Sequence, residues 1–269
     1  MPATKYQAIT FETKNRIGII TMNQPERRNA LSPEMRQDFL NLMPTLQYNS
    51  DLGAIILRGT DGVFCAGGDL KMFKTGFQGG EKGMKDVEEA SALTGAFFDM
   101  INSYPKPVVM LAEGAAMAGG LGVACCCDVT IGMSDAKFGF SETRIGITPA
   151  QIARYVLQKC GYSTGRRLMV TAARFKGDEA GRLGVLDFVA EDADALAGLE
   201  TKVKRDVLEC APGAVAACKA LIIGMPATPD SEKVEFAATN FSGCLQGEEG
   251  KEGVASFVEK RKPNWHTEI

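Results

Sequence analysis

The sequence contains a single histidine, His266, so most catalytic mechanisms that depend on histidine are not expected. A Ser-His-Asp or Cys-His triad would have to recruit this one side chain near the C-terminus, so triad chemistry is not expected. General acid–base catalysis then falls to a carboxylate, a lysine or a tyrosine. Any catalytic proton transfer is therefore predicted to use one of these three side-chain types.

Long apolar runs and an excess of basic charge are also missing. No run reaches the length that a membrane-spanning helix needs, and the first residues lack the apolar segment of a secretory signal. The net charge is −3, so no overall basic field points to nucleic acid or to an anionic membrane. We therefore expect a cytoplasmic protein without nucleic-acid or membrane partners.

The eight cysteines include no Cys-x-x-Cys pair, which removes the common zinc and dithiol motifs. Cys125, Cys126 and Cys127 are consecutive, but successive side chains of a helix point about 100° apart and cannot converge on one ion. We predict packed, reduced thiols of the cytosolic kind and no metal site.

Two glycine pairs, Gly67-Gly68 and Gly119-Gly120, each stand after an apolar segment and before a predicted helix. Glycine lets another molecule approach the backbone closely, and the first turn of a helix has free N–H groups. If the two turns converge, two N–H groups can polarise one oxygen, as an oxyanion hole does. A glycine pair on its own is equally well explained as a site of tight packing.

Strand and helix patterns alternate along the chain and predict an α/β fold with right-handed crossovers. A helical region is expected to follow, so that residues 1–192 form the core and residues 193–269 form a helical oligomerisation region. A mobile loop is predicted at 74–85, and Asp69 is predicted to cap a helix that begins at Leu70. The predicted strands are 8–11, 17–22, 54–57, 108–112, 129–133, 137–140 and 185–189, and the predicted helices are 33–48, 87–103, 121–127, 150–159, 165–171 and 177–183.

Four motifs, in this order, resemble those of the crotonase (enoyl-CoA hydratase/isomerase) superfamily. Residues 25–31 resemble its P-x-x-x-N-A-L loop, and residues 64–70 its F-x-A-G-x-D-L turn. Residues 115–128 are similar to its A-x-G-G-G-x-x-L-x-x-x-C-D segment, and residues 257–263 to its closing F-x-E-K-R-x-P. The resemblance implies a spiral of ββα turns, trimers or dimers of trimers, and acyl-CoA thioester substrates. No separate cofactor is then expected, because CoA is part of the substrate.

The resemblance also assigns roles by motif position. The oxyanion donors are the N–H groups of Gly68 and Gly119. Ala66 is expected beside the CoA adenine, and Arg27 or Arg28 near the CoA phosphates. The full set of expected CoA and substrate contacts is Arg27, Arg28, Ala30, Ala66, Gly67, Asp69, Leu70, Gly120 and Arg144.

The carboxylates indicate which reaction is expected. Hydratases of this superfamily often carry two glutamates, and this sequence departs from that pattern. The first falls at Gly122, which has no side chain, whereas the second matches Glu142. One glutamate can act first as base and then as acid, either to add water or to move a proton in an isomerase. Glu113 lies nearer the glycine turn in sequence but is expected to be structural.

Residues 142–156 depart from the commoner I-P-G-x-G-G-T-Q-R version of this segment. They resemble the branched glutaconyl-CoA hydratases, of the methylglutaconyl and isohexenylglutaconyl kind. Such substrates carry a distal carboxylate, which Arg144 or Arg154 could bind in a bidentate way, unless both arginines lie at a subunit contact. The sequence therefore predicts a hydratase. The alternatives are an isomerase or another crotonase-type lyase, and a non-catalytic member that binds acyl-CoA or only a protein partner.

Overall fold

The computed structural model describes residues 6–68 and 80–267. These residues form two β-sheets, a large one with the strand order β1-β2-β3-β5-β7-β10 and a small one with the order β4-β6-β8-β9. The strands are β1 (Ile9–Lys14), β2 (Ile17–Met22), β3 (Ala54–Gly59), β4 (Val63–Cys65), β5 (Val108–Ala112), β6 (Ala115–Met117), β7 (Val129–Met133), β8 (Lys137–Gly139), β9 (Arg174–Lys176) and β10 (Phe188–Ala190). The α-helices are α1 (Pro33–Leu46), α2 (Gly80–Asn102), α3 (Gly119–Cys126), α4 (Ala153–Cys160), α5 (Tyr162–Val170), α6 (Gly177–Arg182), α7 (Ala193–Leu208), α8 (Pro212–Gly224), α9 (Lys233–Gln246) and α10 (Glu248–Val258).

From β3 to β8, successive strands alternate between the two sheets. β3, β5 and β7 lie in the large sheet, and the strand that follows each of them, β4, β6 or β8, lies in the small sheet. A helix follows each such pair, as α3 follows β6 and α4 follows β8. This repeat is a ββα spiral, so the α/β fold class and the spiral core with a C-terminal helical region are confirmed.

The large sheet is covered on both faces. Ile55 and Leu57 of β3 point into an inner core shared with α1, α2 and α3, whereas Ala54 and Ile56 point into an outer core that α7 closes. Parallel strands buried on both faces are typical of α/β proteins. The first helix of the predicted C-terminal region therefore packs directly on the α/β core.

The structure corrects several expected boundaries. The loop predicted at 74–85 is wrong from Gly80 onward, because α2 begins there despite its glycines and is held by packing of its apolar face on the inner core. The strands β4, β6 and β9 have three residues each and were not predicted, since so short a run shows no alternation. The predicted cap Asp69 and helix start Leu70 lie outside the described residues.

None of the described helices is by itself long and apolar enough to cross a membrane. Within residues 6–68 and 80–267, one bent helix pair, 193–208 and 212–227, has the length and composition of a membrane span, with an angle of 97° between its two parts.

A half-buried ion pair ties α8 to the core. Lys219 Nζ lies 2.6 Å from Asp128 Oδ2 and donates to the Lys106 carbonyl at 3.2 Å. The same carboxylate oxygen accepts the Val108 N–H at 2.7 Å, at the start of β5. The two side chains are 10% and 29% exposed, so the pair is better shielded from water than an ordinary surface pair. The contact anchors a C-terminal helix where two central strands meet.

Lys219→Met tests this anchor, because it keeps an apolar stem and removes the ammonium. Burial raises the pKa of Asp128, and Lys219 opposes that rise, so the pKa climbs further in the variant. We expect a loss of roughly 1–3 kcal/mol in the free energy of unfolding at pH 8. The loss should be smaller at pH 5, where the native state of the variant more readily takes up the proton.

The measurement is thermal unfolding at both pH values. Lys202→Met is the matched control, since it breaks the pair with Asp206 on α7, where both side chains are more than half exposed. A surface pair contributes about 0–1 kcal/mol. Equal losses in the two variants at both pH values contradict the account.

Candidate active site

The candidate site lies at one edge of the small sheet. β4, β6 and β8 run parallel there, so their carboxyl ends point the same way. The segments that follow these ends are residues 66–68, 118–120 and 140–142. The Ala118 N–H donates to the Gly139 carbonyl at 2.8 Å, which holds the segment 118–120 against the end of β8. Ligands of parallel sheets bind at such carboxyl ends.

The two glycine turns touch each other. Gly67 has a φ of +100°, and a Cβ there would lie 2.8 Å from the Cβ of Ala118 and 3.5 Å from the nitrogen of Gly119. A Cβ on Gly119 would lie 3.6 Å from the nitrogen of Gly68. A side chain at 67 would therefore crowd the opposite turn, whereas one at 119 would be in ordinary contact with the turn of Gly67 and Gly68 and tight only against Leu31. The structure thus brings the two predicted oxyanion nitrogens, of Gly68 and Gly119, into one small region.

Ala118 sets the direction of α3. It has a φ of 48° and a ψ of −117°, a conformation that an L-residue rarely adopts and that costs about 1–3 kcal/mol. Its N–H is bonded to Gly139, and its carbonyl accepts the Gly122 N–H at 3.0 Å, so both sides of the residue are fixed. Its side chain makes no capping hydrogen bond. The N–H groups of the first turn of α3 are therefore not masked by an N-cap side chain.

A buried asparagine holds the loop before α1 against the first glycine turn. Asn29 is fully buried with a φ of 54°, and its Nδ2 donates to the carbonyls of Thr60 at 3.1 Å and Val63 at 2.8 Å. Two residues later, the Leu31 N–H donates to the Gly67 carbonyl at 2.8 Å. This hydrogen bond uses the carbonyl that precedes Gly68 and not the Gly68 N–H.

The predicted CoA contacts are distributed around this loop. Ala66 donates its N–H to the Arg28 carbonyl at 3.0 Å, so these two residues are neighbours. Arg27 is half exposed and lies 3.6 Å from Glu34, and Ala30 is buried. Gly120 is buried, and a Cβ there would lie 2.7 Å from that of Cys65, so the position packs closely against β4. Asp69 and Leu70 lie outside the described residues.

Arg28 also borders an open groove on the outer face of the small sheet, with a volume of about 740 Å³. Its cationic residues outnumber its two acidic ones, and its floor is apolar. Such a surface suits a phosphorylated ligand. The charged residues of the groove are Arg28, Lys137, Arg174, Lys176, Arg182, Asp178 and Glu179.

Glu142 follows β8 and opens a 3-10 turn, Glu142–Ile145. Its side chain is partly buried, and Oε2 accepts the Ser141 N–H at 2.8 Å. Arg144 is exposed and donates from Nε and Nη2 to the Ala172 carbonyl at 3.3 and 3.2 Å. Glu142 is therefore placed just beyond the strand neighbouring the second glycine turn.

No space exists for a carboxylate at position 122. A Cβ on Gly122 would lie 2.9 Å from the Cβ of Ile152, closer still to its Cγ2, and 3.1 Å from Cε1 of Phe98. Both side chains are buried, at 3% and 1% exposed. The place of the missing glutamate is thus filled with apolar groups.

The other reactive groups near the site have partners elsewhere. Glu113 forms an ion pair with Arg58. Arg154 lies 2.7 Å from Asp99 and covers the ring of Tyr155. Burial raises the pKa of Cys65 to about 12, so this thiol stays protonated at neutral pH and is a poor nucleophile. The eight cysteines are unpaired, and the described ranges contain no group of three or more metal-ligating side chains.

Sequence reasoning did not single out Asn29, Ala118 or Ile152. Asn29 stood inside the P-x-x-x-N-A-L motif, and asparagine is one of the few residues that accept a positive φ. Ala118 and Ile152 carry no comparable signal, because an alanine and an isoleucine are ordinary core residues.

Comparisons with known proteins agree with this architecture. Residues 12–268 match the family model of the enoyl-CoA hydratases/isomerases. The crotonyl-CoA hydratase of Syntrophomonas wolfei is 28% identical, over 97% of this chain and 98% of its own length. AtuE of Pseudomonas aeruginosa has a similar structure, with a TM-score of 0.90 and 38% identity over 97% of this chain and all of its own. An enoyl-CoA hydratase/isomerase from Marinobacter aquaeolei gives a TM-score of 0.90 and 34% identity over 96% and 98% of the two chains. The family match spans nearly the whole chain and includes every described segment of the site, so the protein belongs to the enoyl-CoA hydratase/isomerase family.

Proposed function

We propose that the protein adds water across the 2,3-double bond of an enoyl-CoA thioester. The observation that carries this proposal is the meeting of the two glycine turns at the sheet edge where Glu142 follows β8. Unmasked N–H groups can stabilise an oxyanion, and a carboxylate beside them can move protons. Family membership and the names of the hydratase relatives support the same reaction class.

The reaction needs only one carboxylate. The Glu142 carboxylate takes a proton from water as the water oxygen bonds to C3, and the electron pair of the double bond moves toward the thioester carbonyl. The resulting enolate oxygen is held by the N–H groups of Gly68 and Gly119. The Glu142 carboxyl then returns its proton to C2, so one water molecule is added and the enzyme is regenerated.

A double-bond isomerase is the second candidate, and the apolar packing at Gly122 favours it. An isomerase takes a proton from one carbon and returns it to another, so one carboxylate suffices and no water has to be held. Both reactions pass through the same enolate. Mass analysis separates them, because hydration adds 18 Da in ordinary water and isomerisation adds nothing.

Glu142→Gln is expected to abolish most of the turnover while acyl-CoA binding persists. The amide keeps the size of the side chain but cannot accept the proton, and general acid–base catalysis typically contributes about 10²–10⁴-fold. The measurement is the hydration rate of crotonyl-CoA, with thioester binding followed separately by calorimetry. Glu113→Gln is the control and should keep near wild-type turnover. If Glu142→Gln hydrates at the wild-type rate, Glu142 is not the catalytic group.

Gly119→Pro tests the oxyanion hole. Gly119 is the first residue of α3, a position where proline is tolerated, so the variant loses one N–H donor without losing a helical hydrogen bond. We expect kcat to fall about 10²–10³-fold. Gly119→Ala is the matched control, because it places the same Cβ against Leu31 and keeps the N–H. Equal loss in the two variants shows that crowding, and not the donor, causes the defect.

We further propose that the substrate is a branched glutaconyl-CoA, of the methylglutaconyl or isohexenylglutaconyl type. The resemblance of residues 142–156 supports this, as does the exposed guanidinium of Arg144, which uses two of its five donors on Ala172. The remaining donors can bind a distal carboxylate.

Arg144→Met should therefore lower kcat/KM for methylglutaconyl-CoA about 10–100-fold, as expected for a lost hydrogen bond to a charged group. Crotonyl-CoA has no distal carboxylate and serves as the internal control. A parallel loss for both substrates would mean that Arg144 acts by holding the Glu142 segment and does not select the substrate.

We also propose a trimer-based homo-oligomer. The last helices expose large apolar side chains, with Phe257 86% and Phe241 67% exposed, more than a monomer usually leaves to water. Sedimentation at micromolar concentration should give a mass of three or six chains. A monomer would contradict the proposal. The exposed large apolar residues of this region are Ile222, Ile223, Val234, Phe241, Leu245, Val254, Phe257 and Val258.

A further inference from the structure

Two consecutive residues at the start of α4 rest on glycines of two different helices. Gln151 lies over Gly95 of α2, where a Cβ would come within 3.0 Å of its Cδ and closer still to its Oε1. Ile152 lies over Gly122 of α3, as described above. Gln151 also donates from Nε2 to Ser91 Oγ at 2.9 Å. These contacts fix the start of α4 on α2 and α3.

The Glu142 segment, residues 142–152, is held mainly at its two ends. At the front, Thr143 Oγ1 donates to the Met169 carbonyl at 3.2 Å, and Arg144 donates to Ala172. At the rear stand Gln151 and Ile152. Between them, residues 145–148 are exposed, and the Ile147 N–H closes a turn back to the Glu142 carbonyl at 3.1 Å. Glu142 thus lies at the front of a segment whose rear end is fixed by Gln151 and Ile152.

We propose that Ile152, seated against Gly122, is a positioning residue for Glu142. Positions 122 and 152 are sterically matched, so that only one of them carries a side chain into the shared space. This inference rests on the proposed function, because Glu142 is taken as the group that moves the proton. It also gives a physical reason for a site with one carboxylate. The space that a glutamate side chain would need at position 122 is occupied by Ile152, the residue that positions Glu142.

Because positions 122 and 152 share one space, adding a side chain at 122 and removing the side chain at 152 should compensate for each other. Gly122→Ala puts a Cβ where Ile152 already lies, and an overfilled contact pushes the start of α4 outward. Ile152→Gly removes the anchor and leaves the space empty. The double variant Gly122→Ala/Ile152→Gly removes the clash between positions 122 and 152, and leaves the Cβ 3.1 Å from Cε1 of Phe98 with part of the isoleucine volume empty. The combined effect should therefore be far smaller than the sum of the separate effects.

The experiment compares the three variants with the wild-type protein in hydration of crotonyl-CoA. We expect Gly122→Ala and Ile152→Gly each to lower kcat at least tenfold with KM changed less than threefold. The double variant should regain at least fivefold over Gly122→Ala. Gly198→Ala on α7 is the matched control and should match the wild type, since a Cβ there meets nothing within 4 Å. Independent, multiplicative losses in the double variant overturn the proposal.

Amide hydrogen exchange supplies a readout that does not depend on turnover. Gly122→Ala should speed exchange in residues 142–150 and leave the large sheet protected, whereas the double variant should restore the slow exchange. If the wild-type protein neither hydrates nor isomerises any enoyl-CoA, the proposed function fails. The exchange pattern still tests whether the packing of Ile152 against Gly122 holds residues 142–150 in place. Unchanged exchange in residues 142–150 of Gly122→Ala overturns it.

Discussion

The contact between the two glycine turns is the constraint on which the candidate site depends. Gly67 approaches the second turn so closely that a Cβ there would lie 2.8 Å from the Cβ of Ala118, and a Cβ on Gly119 would already touch the nitrogen of Gly68 at 3.6 Å. The approach is possible because Ala118 holds a strained conformation, fixed by β8 on one side and by the first turn of α3 on the other. Strain of this kind persists only where the surroundings enforce it, and it is common at functional sites. The rest of the fold supplies that enforcement.

The spiral topology explains why these segments meet. Each turn gives one strand to the large sheet and one to the small sheet, and the parallel strands of the small sheet end at the same edge. Both glycine turns and Glu142 follow those ends directly. The large sheet, covered on both faces, gives the small strands a rigid support, although each has only three residues. Precision at the site thus comes from the core and not from the short strands themselves.

Much of this arrangement could be predicted from the sequence, and particular residues show where prediction stopped. The strands 17–22 and 129–133 were predicted with the observed limits, because apolar runs bounded by turns are a strong local signal. The glycine pairs and Glu142 were found through motifs. The packing of Ile152 against Gly122 could not be predicted, since it joins residues thirty positions apart and leaves no local pattern in the sequence. Gly120 also has a packing role that the motif did not indicate, because a Cβ there would lie 2.7 Å from the Cβ of Cys65.

The absence of a side chain at position 122 now has a structural reason. The space is filled by Ile152 and Phe98, which agrees with our proposal that one carboxylate and two backbone donors carry out the chemistry. The most direct measurement is a crystal structure with a bound enoyl-CoA or a non-reactive thioester analogue. The account predicts the thioester oxygen within about 3 Å of the nitrogens of both Gly68 and Gly119, with the Glu142 carboxylate within reach of C2 or of a water beside C3. A thioester oxygen bound away from these nitrogens, or a Glu142 side chain turned to solvent in the complex, would contradict it.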